Sequence, residues 1–113
     1  MTILDDRSEF SDDTFRGLTL AGTKPGSRVF RDCVFEGGDF SAADLSDTRF
    51  TDCTFRDANL ANARLVNVKL GTVRFERCKL IGVDFTPCEP VFFDVAFDQC
   101  DLSYCVFAGM SLK

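Results

Sequence analysis

The chain has 113 residues, of which 45% are hydrophobic, with 13 Lys or Arg against 18 Asp or Glu and no histidine. The size fits one domain with a single core, and the net charge of −5 disfavours nucleic acid or an anionic membrane as a direct partner while suiting a cationic one. No apolar run is long enough to cross a membrane and Met1-Thr2-Ile3-Leu4-Asp5-Asp6 carries no signal-peptide pattern, so a cytoplasmic protein is expected.

Residues 1–9 form an N-terminal cap segment, with Ile3 and Leu4 expected to lie over the open end of the core. From residue 10 a strict period of five begins. Phe10, Phe15, Leu20, Phe30, Phe35, Phe40, Leu45, Phe50, Phe55, Leu60, Leu65, Leu70, Phe75, Leu80 and Phe85 keep it, and only Pro25 breaks it. Beyond Phe85 the register slips by two and resumes at Phe92, Phe97, Leu102, Phe107 and Leu112.

A period of five matches neither a helix nor a simple strand. A second ladder resolves it. Two residues before each anchor stands a compact side chain: Cys33, Gly38, Ala43, Thr48, Cys53, Ala58, Ala63, Val68, Val73, Cys78, Val83, Val95, Cys100, Cys105 and Met110. Residues two apart on an extended chain face the same way. Each unit is therefore a three-residue in-out-in strand and then a two-residue corner. One unit buries almost nothing alone, so the units must coil and stack as a solenoid.

Two places interrupt the pattern. Lys24-Pro25-Gly26-Ser27 replaces one unit without changing phase and reads as a bulged corner. Residues 86–91, beginning Thr86-Pro87-Cys88-Glu89-Pro90, add two residues and predict an outward loop, since Pro removes ladder donors. Phe93 comes next at an outward position beside Val91, making a small exposed apolar spot.

Five of the six cysteines, Cys33, Cys53, Cys78, Cys100 and Cys105, sit in the compact ladder, and Cys88 falls in the register break. Buried free Cys packs as a small hydrophobe, the role that ladder needs. Cys33 with Cys53 and Cys78 with Cys100 would lie one coil apart, within disulfide reach. No Cys-x2-Cys pair is present, so no metal is expected. The missing histidine, and a rod filled by its own Phe and Leu, argue against catalysis; no cofactor is expected.

The segments Ala43-Asp44-Leu45-Ser46-Asp47 and Ala58-Asn59-Leu60-Ala61-Asn62 resemble the A(D/N)LXX motif of pentapeptide repeat proteins, over roughly residues 8 to 112. The resemblance implies an all-β, right-handed quadrilateral β-helix with four pentapeptides per coil. Residues 10–113 then form about five coils, a rod of about 25 Å at about 4.8 Å per coil. Its columns would be Phe15, Phe35, Phe55, Phe75 and Phe97; then Leu20, Phe40, Leu60, Leu80 and Leu102; then Leu45, Leu65, Phe85 and Phe107; then Phe10, Phe30, Phe50, Leu70, Phe92 and Leu112.

At 20 residues per coil the outward charges also fall into columns. Arg16, Glu36, Arg56, Glu76 and Asp98 alternate in sign nearly throughout, as a salt-bridge ladder would. Asp12, Asp32, Asp52, Thr72 and Asp94 instead stack like charges, which costs stability and asks for a reason. One account is local: aspartates satisfying corner amides. The other is an anionic stripe that imitates a nucleic-acid backbone.

The stretch Val73-Arg74-Phe75-Glu76-Arg77-Cys78-Lys79-Leu80-Ile81-Gly82-Val83-Asp84-Phe85, with Phe97-Asp98-Gln99-Cys100-Asp101-Leu102-Ser103-Tyr104, resembles the gyrase-interacting members of the family. Those confer resistance to quinolones or albicidin. The resemblance implies a bacterial protein partner, DNA gyrase or topoisomerase IV, bound by DNA mimicry through Asp12, Asp32, Asp52 and Asp94 with Phe93 as apolar anchor. Such members are longer and end in a dimerising helix, whereas this chain stops at Leu112-Lys113. The expectation is a truncated half or a short form, pairing as a homodimer through a C-terminal coil of Phe97, Leu102, Phe107 and Leu112. A generic interaction scaffold is the rival reading.

Overall fold

The computed structural model describes residues 8–91 and 93–107. Among them are nine short strands: β1 (Glu9–Ser11), β2 (Thr14–Arg16), β3 (Val29–Arg31), β4 (Val34–Glu36), β5 (Arg49–Thr51), β6 (Thr54–Arg56), β7 (Lys69–Gly71), β8 (Val73–Glu76) and β9 (Val95–Asp98). They pair in parallel, β1-β3-β5-β7 in one sheet and β2-β4-β6-β8-β9 in a second. The other two faces carry single parallel bridges, among them Thr19 to Asp39 to Asn59 to Lys79 to Asp101 and Asp84 to Val106. The chain is thus a four-sided coil of about four full turns among the described residues, against the five that the resemblance implied for residues 10–113.

The anchors meet on the axis. Phe10 pairs with Phe30 and Phe30 with Phe50, each a 20-residue offset. Rings of one column stack nearly parallel: Phe35 on Phe55 at 4.6 Å, Phe55 on Phe75 at 5.1 Å and Phe75 on Phe97 at 5.5 Å. Rings of adjacent columns meet edge to face, as Phe50 does with Phe55 at 5.3 Å and 67°. Both are the arrangements the aromatic quadrupole favours. Phe92 and Leu112 of the fourth column, with Ile3, Leu4 and Met110, lie outside the described residues.

Most corners among the described residues share one backbone solution, the corners at Pro25 and after Phe85 excepted. The second residue after an anchor takes a left-handed conformation, as at Asp12, Gly17, Gly22, Asp32, Gly37, Ala42, Asp47, Asp52, Asp57, Asn62, Asn67, Thr72, Arg77, Gly82, Gln99 and Tyr104. That region is cheap for Gly and tolerable for Asp and Asn, which explains their prominence at this position. The compact ladder starts one coil earlier than its sequence suggests. Leu18 occupies it, fully buried, and Gly38 lies next above. A Cβ on Gly38 would come within 2.9 Å of the Leu18 carbonyl oxygen and 2.6 Å of the Phe40 ring. The Phe40 ring and the Leu18 backbone leave no room for a side chain at residue 38.

The register break is narrower than expected. Cys88 N–H donates to the Phe85 carbonyl at 3.1 Å, as Val68 does to Leu65, and Glu89 N–H reaches Val68 O at 2.9 Å. The corner from Phe85 to Cys88 therefore keeps the hydrogen bonding of the others, although Pro87 cannot take their left-handed conformation, and Cys88 is a ladder residue, 4% exposed. The extra residues enter between Glu89 and Asp94, whose amide bonds Leu70 O at 2.9 Å. Beside Pro25 lies a small cavity of about 10 Å³ edged by Arg28, Leu45 and Thr48. Arg28 Nε donates to Pro25 O at 3.1 Å across its mouth.

Candidate partner-binding surface

The surface is set by the corners. Asp12, Asp32 and Asp52 are exposed, left-handed, and one coil apart, directly above one another on the corner between the two sheets. Their amides are satisfied by the next coil, Asp12 by Arg31 O at 3.0 Å, Asp32 by Thr51 O at 3.0 Å and Asp52 by Gly71 O at 2.9 Å. With the backbone so occupied, the carboxylates point away from the rod. Thr72 continues the column in the same conformation. Asp94 follows Thr72 in register but without the left-handed conformation: it is half-buried beside the insertion and its amide turns back to Leu70.

The local explanation of these aspartates, capping of corner amides, belongs to a different set of residues. Asp39, Asp44, Asn59, Asp84 and Asp101 each stand one before an anchor and accept the N–H two residues on, at 2.9–3.0 Å. Four of them also accept the hydroxyl of Ser41, Ser46, Thr86 or Ser103. These bonds hold the four carboxyls below the usual aspartate range. This is the physical content of the (D/N) in A(D/N)LXX. The signal for it in the sequence is the Ser or Thr two places later.

Phe93 is not the exposed aromatic that its position suggested. It is half-buried and packs on the core, its ring edge-on to Phe85 at 6.4 Å. The two added residues turn it inward, and Val91, 71% exposed, is the apolar residue left outside. The salt-bridge ladder forms in pairs: Arg16 to Glu36 at 3.5 Å and Arg56 to Glu76 at 2.8 Å. A neighbouring corner adds Arg77 to Asp57 at 2.9 Å. Phe97, Leu102 and Phe107 are only half-buried, while Leu112 lies outside the described residues.

All six cysteines are free thiols. Cys53 donates to Phe30 O at 3.3 Å, Cys78 to Phe55 O at 3.2 Å and Cys105 to Leu80 O at 2.8 Å. Burial pushes Cys53 and Cys88 up to about 12 and Cys78 to about 11. Such thiols are poor nucleophiles and pack as apolar groups. Among the described residues no three Cys, Asp or Glu side chains converge as metal ligands, and no helix is long and apolar enough to span a membrane.

Comparison with curated proteins gives no match. Among solved structures the chain is similar to full-length QnrB1, described as a plasmid-mediated fluoroquinolone resistance protein, at 20% identity and a TM-score of 0.48 over 88% of this chain. It is also similar to Rfr23, a pentapeptide repeat protein of the cyanobacterium Cyanothece 51142, at 15% identity and a TM-score of 0.46 over 93% of this chain. The chain spans 60% of the length of each. A family model described as a pentapeptide repeat region matches residues 28–107. With the four-sided coil, its inward Phe and Leu and its Asp- or Asn-capped corners, that match settles the assignment: the chain belongs to the pentapeptide repeat family.

Proposed function

We propose that the protein binds the cationic DNA-binding surface of a bacterial type II topoisomerase, DNA gyrase or topoisomerase IV, and competes there with DNA, countering a quinolone-type poison. The observation that carries this reading is the Asp12, Asp32, Asp52 column: three exposed like charges on one rigid corner. Parallel coils repeat at about 4.8 Å, against about 3.4 Å between phosphates of one DNA strand. The match is one of line charge rather than of register. A basic groove responds to line charge, since counterions and long-range attraction dominate such binding. Asp94, at the end of the column, extends it in part. Phe93, being half-buried, does not serve as the apolar anchor.

The half-buried Phe97, Leu102 and Phe107 support pairing of two copies through the upper coil, which would double the length of the acidic corner. A bacterial cytoplasmic location goes with such a partner. The test is a gyrase supercoiling assay with purified protein, repeated with ciprofloxacin. Inhibition of supercoiling, or relief of poisoning, that vanishes in the Asp12→Lys/Asp32→Lys/Asp52→Lys/Asp94→Lys variant supports the proposal. No effect of the wild-type chain on either reaction assigns the rod to the scaffold class instead.

A further inference from the structure

The third face of the coil, anchored by Leu45, Leu65, Phe85 and Phe107, differs from the other three on its outer side. The large hydrophobic residues exposed among the described residues are Val66, Val91, Tyr104 and Val106. Tyr104 stands on the corner that leads into this face. Val106 pairs with Asp84 upon it, Val66 comes just after the anchor Leu65, and Val91 lies past its far corner.

Tyr104 is the informative member. It is 87% exposed and sits at φ 61°, a conformation that costs a bulky residue free energy. Lower positions of its corner column are Gly22, Ala42, Asn62 and Gly82, residues that are small or suited to that backbone. Gly82 lies directly beneath, joined by its N–H to Ser103 O at 2.8 Å, and gives the ring no side chain to rest on. Folding therefore gains nothing from Tyr here. A strained, unsupported aromatic beside exposed valines is what a contact residue looks like before its partner arrives.

Charge selects the partner. Asp84 flanks Val106 on the face itself, with Arg64 lower in the same column; Asp101 stands on the adjoining face three residues before Tyr104, beside Lys79; and Glu89, past the far corner, accepts the Val91 amide at 3.0 Å, so carboxylates outnumber cations around the apolar residues. A second copy would set these carboxylates against their own kind. We propose that this face docks a basic protein segment in which aliphatic side chains alternate with arginine or lysine, the aliphatic groups covering Tyr104 and Val106 and the cations meeting Asp84, Asp101 and Glu89. The surface is separate from the Asp12, Asp32, Asp52 column, which lies on the diagonally opposite corner of the rod, so both can be occupied at once.

The probes are three eight-residue peptides, alternating Arg and Leu, Arg and Ser, and Glu and Leu, titrated into the 15N-labelled chain. The Arg-Leu peptide is expected to shift the amides of Val66, Thr86, Tyr104 and Val106. Tyr104→Gly, which suits the corner and should melt no lower than the parent, is expected to weaken that binding about tenfold. Replacing Asp12, Asp32 and Asp52 by Asn should leave it unchanged, so its failure is distinct from failure of topoisomerase binding. The proposal is overturned by no shift at about 1 mM peptide, by equal binding of the Arg-Ser peptide, or by shifts confined to the Asp12 corner. Sedimentation showing dimerisation that depends on Tyr104 would also overturn it, by giving the face to a second copy.

Discussion

Replacing Phe55 by Ala tests the central claim about the core, because its ring is held on every side. It is 1% exposed, stacks between Phe35 at 4.6 Å and Phe75 at 5.1 Å, and meets Phe40 and Phe50 edge-on at 5.8 and 5.3 Å. Truncating a buried Phe costs about 3–5 kcal/mol. The parallel sheets above and below cannot close over the gap without breaking register, so the upper half of that range is expected. For a domain holding about 5–15 kcal/mol in all, that is a third or more of its stability. Phe97→Ala is the control: half-buried, it stacks on Phe75 at 5.5 Å and meets Phe85 and Phe107 edge-on at 5.8 and 6.0 Å, without a second stacked ring among the described residues, and should cost about half as much. Phe55→Leu should cost only about 1–1.5 kcal/mol, because Leu60, Leu65 and Leu70 already serve as anchors. Urea unfolding monitored by far-ultraviolet circular dichroism gives all three values, with unchanged slopes certifying like transitions. A Phe55→Ala loss no larger than that of Phe97→Ala would refute the ring-column account.

The same geometry sets three further outcomes. Asp39, Asp44, Asp84 and Asp101 are held below their ordinary values by hydroxyl and amide donors, and Asp57 and Glu76 by Arg77 and Arg56. Their stabilisation is complete above the unfolded carboxyl pKa and is lost as pH falls through the lower folded values, so melting temperature should be flat from neutral pH to about 5 and drop below about 4. Gly82→Ala should be destabilising by at least about 1–2 kcal/mol in a urea titration, since φ is +74° and the new Cβ would overlap Asn62 Oδ1; adding Asn62→Gly should recover the clash but not the backbone cost. Native-state titration with a thiol reagent should label the half-buried Cys100 and Cys105 well before Cys53 and Cys88, whose deep burial keeps them protonated; equal rates would mean that the ladder opens readily.

The inward residues are legible in the sequence because the coil repeats: a side chain that must face the axis every five residues leaves a period that no other architecture imposes. The corners are less so. Asp12 and Asp39 are the same residue type, yet one answers a left-handed backbone and the other caps an amide. Only their offset from the anchor, two after or one before, tells them apart. The period alone misplaces Phe93, because a two-residue insertion can be absorbed at any point between Phe85 and Val95. The regular bonds of Cys88 and Glu89 put the insertion after the corner, which brings Phe93 to the core and Cys88 into the ladder. Leu18 is hidden for another reason: it is a large residue at a position that higher coils fill with compact ones, and only its complete burial reveals it as part of that ladder.

The corner backbone also sharpens what the acidic column can mean. Gly, Asn and Asp all serve a left-handed corner, and the chain uses each: Gly17 and Gly37 on one corner, Asn62 and Asn67 on others. Conformation alone therefore accounts for a polar or absent side chain at residues 12, 32 and 52, but not for three negative charges in line. Replacing Asp12, Asp32 and Asp52 by Asn keeps the conformational fit and removes only the charge. If the column exists for folding, the triple variant should lose stability. If it exists for a partner, relief of repulsion should raise stability by a few tenths of a kcal/mol per contact at low salt, while inhibition of gyrase supercoiling falls away. A variant that is both less stable and equally inhibitory would break the link between this corner and any basic partner.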